Sequence, residues 1–204
     1  MPDTISNLVI GFLYAFRINL EVGLYALLGG VLFGFPLAWL RTQAGWSRVF
    51  AEGLITFLRA FPAFVLMFVL LNIMSNSTHW IHRYVDNVPT ITLILALSAY
   101  ATAVISDAAQ DSWQYFRQSD TAKAFLLIPN LFRIFTILVM ASSIGAAIGV
   151  QDAVSYTLSK AEATPDALNR IWLVFFATIF FVAFFSMIRF SLYLVVERLS
   201  KRFQ

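Results

Sequence analysis

Five stretches of this chain contain no Asp, Glu, Lys or Arg: residues 22–40, 60–74, 88–106, 134–151 and 171–188. This limits the fold more than any other feature, because a helix that crosses a bilayer needs about 20 mostly apolar residues. In lipid the backbone has no water to bond to, so each run must satisfy its own N–H and C=O groups and is expected to be helical. A closed barrel would show alternating segments of about ten residues, and the sequence has none. The 60–74 run is short, so its helix is expected to start upstream near Leu54, with Arg59 at or near the interface. The last run is expected to continue past Arg189 to Val196. The predicted spans are residues 20–40, 55–74, 88–107, 128–150 and 171–196, in a single transmembrane domain covering residues 1–204.

Composition agrees. The chain is 60% hydrophobic and 12% charged, about half the charge of an ordinary soluble domain. It has no Cys, which excludes disulfides and thiolate chemistry. The net charge of +3 needs no nucleic acid to explain it, since basic residues collect on the inner side of membrane proteins. With the N-terminus outside, ten basic residues lie inside (Arg41, Arg48, Arg59, Arg117, Lys123, Arg133, Arg189, Arg198, Lys201 and Arg202) and four outside (Arg17, Arg83, Lys160 and Arg170). The bias predicts an N-out, C-in chain with its basic tail at anionic headgroups. The first residues carry no basic run and do not read as a cleaved signal peptide. The connections at 41–53, 75–87, 107–123 and 152–170 are too short to hold a folded domain. With no P-loop, no G-x-S-x-G and no H-E-x-x-H, the chain has no enzyme constellation of its own.

A few polar residues stand out. Arg17 and Glu21 are spaced i, i+4 and can pair on one helical face. They are either an interfacial anchor at a helix end or a functional pair, since intramembrane charge is expensive. His79 and His82 are two ligands where a structural zinc wants four, and read as an outer turn beside Trp80. Pro62 follows Arg59, and Pro129 precedes Arg133; each proline starts or kinks a helix. Gly30 and Gly34, and Gly145 and Gly149, form G-x-x-x-G patterns that let helices approach closely, within the chain or across a dimer. Next to the second pair, Ser142 and Ser143 offer hydroxyls to a solute path.

The order of these features resembles the membrane permease subunit of bacterial polar amino acid ABC importers. Phe57-Leu58-Arg59-Ala60-Phe61-Pro62-Ala63 is similar to that family's F-R-G-T-P-L. Ala96-Leu97-Ser98-Ala99-Tyr100-Ala101-Thr102-Ala103, with Asp107 near the acidic position, is similar to A-L-S-x-x-x-A-A-Y-x-A-E. Ile128-Pro129-Asn130-Leu131-Phe132-Arg133-Ile134 is similar to L-P-Q-A-L-R-I, and Ala141-Ser142-Ser143-Ile144-Gly145 through Asp152 to D-T-S-L-A-S-V-I-G-V-P-E. The resemblance covers nearly the whole chain in order. It identifies a divergent member with a degenerate E-A-A coupling loop: the inner loop before Pro129 is about ten residues short, within ordinary loop-length variation, and holds no Gly.

The resemblance implies an all-α integral membrane fold of the type I ABC importer permease kind, with five transmembrane helices, N-out and C-in, in a bacterial inner membrane. It implies transport of a small polar solute, most plausibly an amino acid, by alternating access. Its partners would be a second permease subunit in a heterodimer, a cytoplasmic ABC ATPase dimer and a periplasmic or extracellular solute-binding protein, besides membrane lipid. No cofactor is implied in this chain; ATP and Mg belong to the ATPase. Asn19, Glu21, Ser98, Asn130, Ser142 and Ser143 are the pathway candidates. Asp107, Asp111, Arg117, Asp120, Lys123, Pro129 and Arg133 are the ATPase-coupling candidates. A non-transporting structural or assembly subunit is the alternative reading.

Overall fold

The computed structural model describes residues 5–76, 87–119 and 124–202, and every regular element among them is helical. The helices are α1 (Ile5–Arg41), α2 (Trp46–Ala60), α3 (Ala63–Asn76), α4 (Val88–Arg117), α5 (Leu127–Ser142), a 3₁₀ helix (Ser143–Ile148), α6 (Ala153–Ala163) and α7 (Ala167–Arg202). His79, His82, Asp120 and Lys123 lie outside the described residues. Four units are long and apolar enough to cross a bilayer: α1, α4, α5 with its 3₁₀ extension, and α7. The α2–α3 pair makes a fifth if a bent pair counts as one.

α4 is the centre of the bundle. It touches α1, α2, α3 and α5, and Leu93, Ala96, Leu97, Ala101 and Ile105 on it are buried. Its start is fixed by Asn87, whose side-chain oxygen accepts from the Thr90 N–H, with Pro89 in the first turn. α1 lies along α4 through small residues. A Cβ added at Gly30 would sit 2.5 Å from the Ala101 Cβ, and one at Gly34 would sit 3.0 Å from the Thr102 carbonyl oxygen. The Gly30-x-x-x-Gly34 pattern is therefore an internal seam. The two glycines of Gly145-x-x-x-Gly149 divide the work: Gly145, in the 3₁₀ helix, packs closely on α4, where an added Cβ would sit 2.5 Å from Leu93 Cδ2, whereas Gly149 closes that helix at φ 91°, a left-handed conformation that glycine adopts without strain.

The structure changes several expected boundaries. α1 begins at Ile5 rather than near residue 20 and runs 37 residues, about 55 Å at 1.5 Å per residue. Arg17 and Glu21 are thus well inside a helix and do not anchor its end. The 55–74 span is two helices meeting at 92°. Phe61, directly before Pro62, is extended (φ −84°, ψ 118°), as the residue before a proline prefers. The Pro62 carbonyl then accepts from the Leu66 N–H at 3.1 Å and opens α3. α4 continues to Arg117, so Asp107 and Asp111 sit on a helix and not in an inner loop. Only residues 118–126 connect it to α5. The 152–170 connection contains α6, and α7 starts at Ala167.

α7 packs on α6, the helix before it, and meets α1 through aromatic rings. Phe12 and Phe16 of α1 meet Phe180 edge-on at 5.0 and 5.1 Å, and Phe16 meets Phe184 at 4.8 Å. Even so α7 is the least covered of the long helices: 6% of its most apolar stretch is buried, against 50% for α4.

Candidate functional site

Two polar clusters tie the bundle together, one near each end of its central crossing. The first is a carboxylate clamp. Asp107, on α4, accepts from Arg41 Nη1 at 2.8 Å on Oδ1, and from Arg59 Nη2 on Oδ2. Arg41 is the last residue of α1, and Arg59 lies in the last turn of α2. One carboxylate therefore holds three helices, and its Arg59 partner lies three residues before the Pro62 break. The side chain of Arg41 is 17% exposed and that of Arg59 is 59% exposed, so Arg41 is the desolvated partner. Its Nε is buried without an acceptor among the described residues. Ala51 and Ile55 of α2 pack beside the clamp with Leu37 and Ala103.

Beyond the clamp α4 runs ten more residues, about 15 Å. Asp111 and Arg117 are exposed there, and Trp113 and Phe116 are 47% and 61% exposed with rings 6.3 Å apart. Across the 118–126 connection, Phe125, Leu126 and Ile128 are exposed as well. Pro129 sits in the first turn of α5, where its missing N–H breaks no ladder. Arg133 donates through Nε to Asn130 Oδ1 at 3.1 Å.

The second cluster is a buried knot around Asn19 of α1. Its Nδ2 faces Ser142 Oγ at 2.9 Å, Asp152 Oδ2 at 3.2 Å and Ser143 Oγ at 3.3 Å, while Oδ1 accepts from the Ala153 N–H at 3.1 Å. Asn19 is fully buried, and Ser142 and Asp152 are nearly so. Asp152 also caps α6, its Oδ1 accepting from the Ser155 N–H at 2.8 Å. Burial pushes the Asp152 carboxyl above its ordinary range, and the bonds from Ser155 and Asn19 oppose that only in part. The knot fixes the corner where α5 passes through the 3₁₀ helix into α6. Its donors and acceptors are satisfied by one another.

The six pathway candidates therefore do not share one cavity. Asn19, Ser142 and Ser143 meet in the knot. Ser98 faces Gly29 across the α1–α4 seam. Glu21 is outside the bundle, paired with Arg17 at 2.6 Å. Asn130 is at the opposite end of α5 from Ser142 and Ser143. Of the coupling candidates, Asp107 is in the clamp, Asp111 and Arg117 lie beyond it on α4, and Pro129 and Arg133 start α5. Sequence reasoning missed Asp152 as the fourth side chain of the knot. An Asp directly before the Ala153-Val154-Ser155 start of a run without Pro or Gly is an N-cap signal that marks it. Among the described residues no three His, Asp or Glu side chains gather as metal ligands.

No family model and no characterised protein matches this chain in sequence. In fold it is similar to a chain in the crystal structure of an amino acid ABC transporter with histidines. The TM-score is 0.74 at 15% sequence identity, and the match covers 95% of this chain and 96% of that one. The likeness is one of architecture, and it runs end to end.

Proposed function

We propose that this chain is a permease subunit of an ATP-driven importer for a small polar solute, an amino acid by class. In this reading it sits N-out, C-in in the inner membrane, and pairs with a second permease subunit to make the pathway at their interface. A cytoplasmic ABC ATPase dimer and an external solute-binding protein complete the assembly. The observation that carries the reading is the fold match with an amino acid ABC transporter over 95% of the chain.

The two clusters suit that task. An importer half must pass a push at its cytoplasmic end into its membrane helices. The end of α4 and the start of α5 offer an exposed apolar cap of Trp113, Phe116, Phe125 and Leu126, of the kind that marks a protein-binding surface. Movement of α4 reaches Asp107 one rigid helix below, and the clamp passes it to α1 and to the α2–α3 elbow. The knot holds the far corner as a fixed point. Because Asn19 and Ser142 are satisfied in the knot, solute contacts fall on residues facing the partner subunit.

The structural-subunit alternative rests on the 118–126 connection, which leaves little chain for a coupling helix. Deleting residues 107–123 cannot separate the two readings, since that would remove the clamp. Trp113→Ala with Phe116→Ala leaves the clamp intact. The chain purified from its host is expected to bring an ABC ATPase and a second multi-pass subunit, and proteoliposomes of the set to take up amino acids with ATP. The double variant should release the ATPase. Co-purification without any nucleotide-binding subunit sinks the importer reading; unchanged docking and uptake in the double variant favour the structural one.

A further inference from the structure

Beside the aromatic ladder, α5 and α7 leave a groove of about 630 Å³ between them, with Val154 of α6 also lining it. One wall is a single face of α5 and the start of the 3₁₀ helix, from Arg133 through Ile137 to Ser143; the other is a single face of α7, from Phe181 through Phe185 to Arg189. Both walls are mainly apolar, with Thr136, Ser143 and Ser186 among their residues, and basic at the same end. In sequence Arg133 directly precedes the uncharged run 134–151, and Arg189 directly follows the uncharged run 171–188. The two guanidiniums therefore bracket the apolar segments on one side. Neither forms an ion pair among the described residues, and Arg133 is engaged only through Nε with Asn130.

The dimensions fit one kind of occupant. From Arg133 to Ser143 the groove runs ten residues, about 15 Å, which is half the hydrocarbon core of about 30 Å. A helix of another subunit would cross the whole core, whereas a phospholipid spans one leaflet. Two arginines without an ion pair among the described residues lie at the mouth and select a negative headgroup, and basic pockets between transmembrane helices on the inner side bind such lipids. Arg offers a fork of donors that matches phosphate oxygens. From the length, the mainly apolar walls and the two clustered arginines we infer that this groove is a binding site for an anionic phospholipid of the inner leaflet. Its phosphate lies between Arg133 and Arg189, and its acyl chains lie along Ile137 and Phe185. The lipid then fills the gap that leaves α7 loosely attached, and couples the position of α7 to the charge of the membrane.

The test uses the chain purified with its co-purifying subunits. Native mass spectrometry in mild detergent should show phosphatidylglycerol retained in preference to phosphatidylcholine. Arg133→Gln with Arg189→Gln should weaken retention about 30-fold, about fivefold for each charge, while Arg48→Gln, on α2, leaves it unchanged. Inorganic phosphate should not displace the lipid. A second readout does not depend on the arginine variants: Ile137→Cys in this cysteine-free chain, carrying a fluorophore, should be quenched by brominated phosphatidylglycerol and not by brominated phosphatidylcholine. Equal retention of the two lipids, unchanged retention in the double variant, or crosslinking of Cys at position 137 to another subunit would each overturn the assignment; the last would name a protein helix as the occupant.

Discussion

At Asn19 one side chain meets four partners on three different segments, and the value of each bond lies in what its loss would expose. Asn19→Ala leaves the Ala153 N–H and an Asp152 oxygen without their Asn19 partner in a buried corner, while the Ser142 hydroxyl keeps its bond to the Val139 carbonyl. Each orphaned buried group costs about 1–3 kcal/mol, so Asn19→Ala is expected to lower stability by several times the effect of a surface change. Asp152 adds a pH dependence. Its carboxyl is raised by burial, so the folded state holds its proton more tightly than the unfolded state. The resulting stability is full below the ordinary carboxylate range and is lost as pH rises through the raised value. Asp152→Asn keeps a capping oxygen for Ser155 without the buried charge, and should flatten that slope. Asp152→Ala loses the cap as well, at about 1 kcal/mol. Thermal unfolding in detergent from pH 4 to 8 reads both; a slope unchanged in Asp152→Asn would show that another group titrates. The knot's serines and asparagine were visible in the sequence as polar residues in apolar runs. That they bind one another rather than a solute was not, because they are separated by more than 120 residues.

Among the elements, the elbow between α2 and α3 shows how a local signal and a distant contact share a structure. Pro62 stops α2 by sterics alone, and this was legible. The angle of 92° was not, because it depends on where Arg59 and the apolar face of α2 are held by α1 and α4. α6 escaped notice for a similar reason: its eleven residues carry mixed polarity, and its start is set by Asp152. The clamp gives an ordered prediction. Removing one member of a buried pair costs about 3–5 kcal/mol, and an exposed pair is worth about 0–1 kcal/mol. With Arg41 largely covered and Arg59 open, Arg41→Gln should destabilise more than Arg59→Gln, and Asp107→Asn should match or exceed Arg41→Gln. In the assembled importer all three should loosen the link between ATP hydrolysis and uptake, and raise ATPase activity per solute moved. Equal effects of Arg41→Gln and Arg59→Gln on melting would mean that desolvation does not set the strength of the clamp.

For the whole molecule, the decisive fact is how much of this chain has no cover of its own. α1 turns Tyr14, Leu24, Leu28 and Leu32 outward, and the Arg17–Glu21 pair lies on the same stripe with side chains 68% and 44% exposed. Burial in lipid costs about 2.5–3.5 kcal/mol for a charged residue at a helix centre, so a stripe carrying two charges is expected to face protein or a water-filled path. In the importer reading this is the face toward the second permease subunit. A double-mutant cycle separates pairing from partnership. Arg17→Leu or Glu21→Leu alone leaves one charge unpaired and should reduce both membrane yield and the share of the second subunit that co-purifies. Replacing both with Leu removes the unpaired charge, so yield should recover. Uptake should stay low if the pair faces the solute, and association should stay weak if the pair contacts the partner. The interaction energy of the cycle then reports the pair alone. If the single and double variants match the unaltered chain in yield, association and uptake, the stripe faces lipid headgroups, and the pathway must be sought on another face of the bundle.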